Sequence, residues 1–166
     1  MNRPQSCLLL LVGVSFWGVS AVSSAETASV ALRVTASVQA NCRISVSDLS
    51  FGVYDPLLTN AQSSLDATAA LTVSCTRGTS ASVLVDGGSS GAGVPSRQMT
   101  SGAQKLSYQI YSDSSRSTVW SPGSRLGINI RSAGSPGRFE VYGRIPPGQV
   151  VLAGSYSDRV TATVEF

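Results

Sequence analysis

"TASVALRVTASV", residues 27–38, alternates apolar with small or polar residues almost without a break. Ala28, Val30, Leu32, Val34, Ala36 and Val38 fall on one face. Thr27, Ser29, Ala31, Arg33, Thr35 and Ser37 fall on the other. A period of two over that length reads as a β-strand with one side to bury. At about 3.3 Å per residue it would run roughly 40 Å, well beyond a common strand of about 5–6 residues. No turn signal and no earlier strand precede it, so it has no local partner.

The same alternation returns at the other end of the chain. In "SYSDRVTATVEF" (155–166), Val160, Ala162, Val164 and Phe166 face one way, and Arg159, Thr161, Thr163 and Glu165 the other. If this is the last strand, its far side is left uncovered, and an unpaired edge invites pairing with another chain. A strand without a groove at one end and a groove without a strand at the other suggest strand addition between copies. The pattern of 27–38 also fits the first strand of a self-contained sandwich.

Upstream of residue 26 the chain reads as a secretory signal. Arg3 makes a short positive region and "CLLLLVGVSFWGV" (7–19) an apolar one, with Ser23 and Ala25 at a small-residue cleavage site. The apolar run is shorter than the ~20 residues of a spanning helix. Cleavage would remove residues 1–25 and with them Cys7. Export then leaves Cys42 and Cys75 as an even pair in an oxidising compartment, where a disulfide is expected. Closing the loop between them would contribute ~3–4 kcal/mol. The metal reading of the same pair needs further ligands, and the sequence contains no histidine.

The segments between read as short strands separated by turn signals. They are "LTVSC" (71–75), "SVLVDGG" (82–88), "KLSYQIYSD" (105–113), "RLGINI" (125–130) and "RFEVYGRI" (138–145). "DGGSSGAGVPS" (86–96) reads as a loop. No segment carries a sustained helical period with caps. Short strands at this spacing indicate one all-β sandwich domain.

Composition narrows the functional classes. Lysine and arginine number 12 against 9 acids, for a net charge of +3, and the basic residues are scattered singly rather than clustered. A nucleic-acid surface calls for a basic stripe. "GGSSG" (87–91) matches G-x-S-x-G with Ser89 as the would-be nucleophile, but that motif works as a strand-to-helix elbow with a histidine base. A serine–lysine pair would have to use Lys105, at the head of an alternating strand. Asp48, Asp55, Asp66, Asp86, Asp113 and Asp158 sit beside Gly, Pro, Ser or strand ends, where aspartate serves turns and caps rather than a glycosidase pair or a calcium loop. Trp120 reads as a buried anchor, with a ligand-stacking face as the rarer alternative. The sequence offers no catalytic set and implies no cofactor or metal.

Four stretches together carry a family likeness: "FGVYDPL" (51–57), "LDATAALTVSCTRGTSASVLVDGG" (65–88), "LSYQIYSDSSRSTVW" (106–120) and "VYGRIPPGQVVLAGSYSDRVTATVEF" (141–166). In this order they resemble the spore coat protein U domain, which also builds subunits of archaic chaperone–usher pili. The resemblance implies an immunoglobulin-like β-sandwich that lacks its last strand and is completed by a donated N-terminal strand. It divides the chain into a signal (1–25), a donor-strand extension (26–38) and a pilin domain (39–166). Val30, Leu32, Val34, Ala36 and Val38 would be the donor residues, with Ala36 fitting only a shallow pocket. Val160, Ala162, Val164 and Phe166 would edge the acceptor groove. The implied partners are copies of itself or related subunits, a periplasmic chaperone and an outer-membrane usher. The implied place is the cell surface, reached through the periplasm, with a role in adhesion or biofilm formation. A secreted spore coat protein and a stand-alone extracellular binding module are the other roles such a sandwich could serve.

Overall fold

The computed structural model describes residues 24–123, 126–129 and 136–166. The chain divides into two units, Met1–Ala36 and Ser37–Phe166. Most of the expected signal segment, residues 1–23, lies outside the described residues. Among the described residues no helix is long and apolar enough to cross a membrane.

The larger unit is all-β. Its strands are β1 (Cys42–Val46), β2 (Leu65–Cys75), β3 (Ser80–Val85), β4 (Gln98–Ser101), β5 (Gln104–Ser107), β6 (Gln109–Tyr111), β7 (Leu126–Asn129), β8 (Gly137–Ile145) and β9 (Ala162–Glu165). One sheet has the order β1-β2-β8-β6, a second β7-β3-β9, and β4 pairs with β5 as a separate hairpin. Every ladder is antiparallel. The two larger sheets share one core, and the fold is an immunoglobulin-like sandwich. Ala69, Leu71 and Val73 on β2 and Val141 and Ile145 on β8 are buried with Val83 and Val85 on β3. The alternation legible in the sequence makes this possible, because every second side chain of each strand points to the same face. Each large apolar side chain removed from water there contributes roughly 1.5–3 kcal/mol.

Trp120 fills the centre of that core with no exposed surface. Its indole N–H donates to Val83 O at 3.2 Å, which satisfies the one polar atom it buries. Arg97 is buried as completely. Its guanidinium donates to Asp86 O, Trp120 O and Gln109 Oε1, so carbonyl oxygens surround the charge. This cage ties the β4–β5 hairpin to the body of the sandwich.

The disulfide expected from the sequence is present: Cys42 and Cys75 are bonded, facing each other in the β1–β2 register. β8 carries a second device. A Cβ on Gly143 would stand 2.7 Å from Leu49 Cδ2 and Phe51 Cζ. Only glycine at that position lets the chain after β1 fold down onto β8, where Phe51 meets the edge of Tyr108 with ring centroids 6.2 Å apart. Tyr54 then donates its hydroxyl to Pro146 O and accepts from Gln149 N. The "YDP" and "RIPPGQ" elements of the sequence thus meet at one end of the sandwich.

Three strand expectations differ from what forms. Residues 24–41 make no strand ladder, although 27–38 alternates. "KLSYQIYSD" splits at Tyr108, because β5 pairs with β4 whereas β6 pairs with β8. Of residues 155–166, only Ala162–Glu165 is strand, since the residues before it are held by other bonds. Among these, Thr100 and Ser157 exchange backbone hydrogen bonds of 2.9 and 3.1 Å, and Asp86 N donates to Thr161 O.

Candidate functional site

Two edge strands, β1 of one sheet and β9 of the other, define the site. β1 pairs only with β2, and β9 only with β3, among the described residues. They are neighbours in space without a ladder between them. At the end of β1 lies a cavity of about 430 Å³. Val46, Leu49 and Phe51 line it on the β1 side, and Val160 and Ala162 on the β9 side. Leu71, Val85, Ile110, Trp120 and Val141 make its floor. These residues belong to the core and are themselves buried, and the cavity reaches down to them from the β1 and β9 sides.

The lip carries polar groups that are mostly committed to one another. Asp158 Oδ2 accepts the Tyr108 hydroxyl at 2.7 Å. Asp158 Oδ1 accepts the Ser89 amide and hydroxyl at 2.9 and 2.8 Å. Burial, reinforced by the bond to Asp158, pushes the Tyr108 phenol far above its ordinary range. Gly88 has φ +84°, and any side chain there would collide with the Asp158 carboxylate. Asp86 Oδ1 accepts from Gly88 N and Thr161 N at 3.0 and 2.9 Å. Burial pushes the Asp86 carboxyl up, and these N–H donors, with Arg97 nearby, hold it below its ordinary value nonetheless. The 86–96 loop is therefore fastened to the chain entering β9, and the groove wall is built rather than slack.

The residues singled out from sequence separate into distinct groups. Val160 and Ala162 line the cavity. Val164 is opposite Val83 in the β3–β9 register and packs on the core, but is not part of the lining. Phe166 is 58% exposed. Val30, Leu32, Val34 and Val38 are 95%, 86%, 83% and 84% exposed, and Ala36 is exposed as well. Ser89 donates its hydroxyl to the Asp158 carboxylate, which also holds the Ser89 amide and the Tyr108 hydroxyl. The aspartates cap and pair: Asp55 accepts from Leu57 N and Leu58 N, Asp113 from Ser117 N and Thr118 N, and Asp66 binds Arg144 through both oxygens. Among the described residues no group of three or more histidines, cysteines or acids could hold a metal ion.

Sequence reasoning did not single out Leu49, Phe51 or Met99, which line the cavity. Their segments have no alternation to read, and they reach the lip through the close approach at Gly143 and the β4 pairing. The position of Asp158 as the anchor of the 86–96 loop was equally hidden, because the two lie 69 residues apart.

Comparison with known proteins places the chain among relatives in sequence and in structure. The family model of the Spore Coat Protein U domain matches residues 28–163. Protein U of Myxococcus xanthus is 36% identical over 179 aligned residues, covering 100% of both chains. A crystal structure of the CsuC–CsuE chaperone–tip adhesion subunit pre-assembly complex, from the archaic chaperone-usher Csu pili of Acinetobacter baumannii, is similar with a TM-score of 0.53 and 26% identity. That likeness covers 78% of this chain, which spans 40% of the matched chain.

Proposed function

The chain belongs to the Spore Coat Protein U domain family, and from that premise we propose that it is a structural subunit of a surface fibre, joined to its neighbours by donated strands. The observation that carries this reading is the open cavity between β1 and β9, floored by Trp120 and walled by Val160 and Ala162. The same chain carries an alternating apolar segment whose Val30, Leu32 and Val34 stand 83–95% exposed. Five apolar side chains on one face of residues 30–38 match the side-chain period of a strand laid along β9. Such a strand would take up hydrogen bonds along the unpaired β9 edge and cover the floor of the groove.

In this account each copy donates residues 26–38 to one neighbour and accepts the same segment from another. Val30, Leu32, Val34, Ala36 and Val38 fill the groove, and Val160, Ala162, Val164 and Phe166, on β9 and the residues flanking it, edge it. Each large donor side chain would contribute about 1.5–3 kcal/mol, so several in a row make a durable joint. Before assembly the exposed groove needs a temporary occupant, which is the place for a periplasmic chaperone, and an outer-membrane usher for the exchange. The structural likeness to a chaperone–subunit complex supports that partner. Residues 1–25 direct export, and the finished fibre stands at the cell surface in adhesion or biofilm formation. A secreted spore coat layer built by the same strand exchange is the second reading, supported by the likeness to Protein U.

Val34→Arg tests the donor assignment. An arginine in a dry apolar groove is expected to block polymer formation while the subunit still folds, because the charge cannot be desolvated without a partner. Polymers of normal length from Val34→Arg would sink the assignment.

A further inference from the structure

The root of the extension is fastened to the sandwich. Asn41 N donates to Thr76 Oγ1 at 3.1 Å, and Thr76 Oγ1 in turn reaches Gln39 O at 3.3 Å. Thr76 N donates to Asn41 O at 2.8 Å, beside the Cys42–Cys75 bond. The chain is thus committed to the body from Gln39 onward. Val38, the last donor position, is a single peptide step away, about 3.8 Å between Cα atoms. A joint made with residues 30–38 has no slack, and the Thr76 end of one copy must abut the copy that receives its strand.

The register says where it abuts. All ladders in the sandwich are antiparallel, and a strand added beside β9 in the same sense runs from its Glu165 end toward its Ala162 end. The nine residues 30–38 match the nine residues 158–166 in length. Val38 then lies by the lip formed by Asp48, Asp158 and Arg159. The arriving end carries Arg43 and Arg77, both exposed and without a carboxylate partner among the described residues. Glu165, near the same end, already has an interaction of its own. On the lip, Asp158 is bonded internally and Arg159 stands beside it on the β9 side. Asp48, on the β1 side, is exposed and makes no hydrogen bond or ion pair among the described residues.

We propose that consecutive copies meet head to tail through a second, electrostatic contact, in which Arg43 and Arg77 of the donating copy dock against Asp48 on the groove lip of the receiving copy. The contact rests on the donor-strand reading and adds to it a rule for how one body is oriented on the next: the cationic end is drawn to the β1 side of the lip and kept from the β9 side by Arg159. Like other solvent-exposed ion pairs it sets orientation and adds modest strength, and salt screens it.

The test is a charge exchange in the full chain assembled in the periplasm. Asp48→Arg fibres are expected to dissociate about two- to fivefold faster than wild type at low salt, with the difference gone near 1 M salt. Combining Asp48→Arg with Arg43→Asp and Arg77→Asp restores the wild-type rate, as a coupled pair requires. Equal rates for Asp48→Arg and wild type at low salt, or no recovery in the triple variant, overturn the contact while leaving strand donation intact. Wild-type chains that form no fibres at all overturn the donor-strand reading beneath it.

Discussion

The Tyr108 hydroxyl donates to Asp158 Oδ2 at 2.7 Å, joining the residue between β5 and β6 to the segment that leads into β9. Tyr108 is buried, and Asp158 sits at the lip of the groove. The bond therefore holds the groove wall from inside the core. Burial first, and the Asp158 carboxylate second, keep the phenol protonated far above its ordinary value near 10.0. A proton bound more tightly in the folded chain than in the unfolded one gives stability that is complete below pH about 10 and declines as pH rises toward the folded value. Tyr108→Phe should be somewhat less stable at neutral pH and lose less between pH 10 and 12 than wild type. Denaturation midpoints across that range check this, and parallel losses in the two proteins would contradict it.

The Cys42–Cys75 bond closes a loop with a sequence separation of 33 residues. Cys42→Ser is expected to cost about 3–4 kcal/mol by the chain-entropy account. Cys75→Ser should match it, and the double variant should be no worse, because either change removes the same bond. Chemical denaturation of the three variants measures this.

Gly143 faces Leu49 and Phe51 at distances no real side chain tolerates. Gly143→Ala should destabilise by about 1–3 kcal/mol, the usual cost of overpacking. It should also disturb the β1 side of the groove, since both neighbours line it. A thermal shift within 1 °C of wild type would mean that the segment after β1 can move aside freely.

Asp66 binds Arg144 with Oδ1–Nε and Oδ2–Nη2 distances of 2.7 and 2.9 Å, and Arg116 stands 3.4 Å away. The Arg144 bond foremost, then the charges of Arg116 and Arg144, outweigh burial and hold the Asp66 carboxyl below its ordinary value. Stability from this pair is present above the unfolded carboxylate value of about 4 and is lost as pH falls through the lower folded one. Asp66→Asn should therefore flatten the acid limb of a stability profile between pH 2 and 5. The change is small, because both side chains are about one-third exposed and solvent screens the pair.

The sandwich was legible wherever burial imposed a period of two. β2, β3 and β8 stand out because alternate residues such as Leu71 and Val73, or Val83 and Val85, are buried on one face. β4 was not, since "QMTS" is half-buried throughout and alternates nothing. Residues 27–38 show the converse. Their alternation records a face suited to burial, but a ladder needs a second strand, and the sequence of one strand does not contain its partner. Of the residues that line the cavity, Val160 and Ala162 stood out in the sequence by their alternation, whereas Leu49, Phe51 and Met99 reach it through tertiary contacts. Arg97 was invisible for the same reason: its cage is made of backbone carbonyls of Asp86 and Trp120 and the Gln109 side chain.

The most direct test of the account compares the native sizes of two secreted forms, one beginning at Glu26 and one at Gln39. The account predicts that the longer form assembles into long, detergent-resistant polymers, and that the shorter, which keeps the groove but lacks residues 26–38, forms none. A longer form that remains a stable monomer, and that unfolds when residues 26–38 are removed, would contradict it, because the segment would then complete its own sandwich.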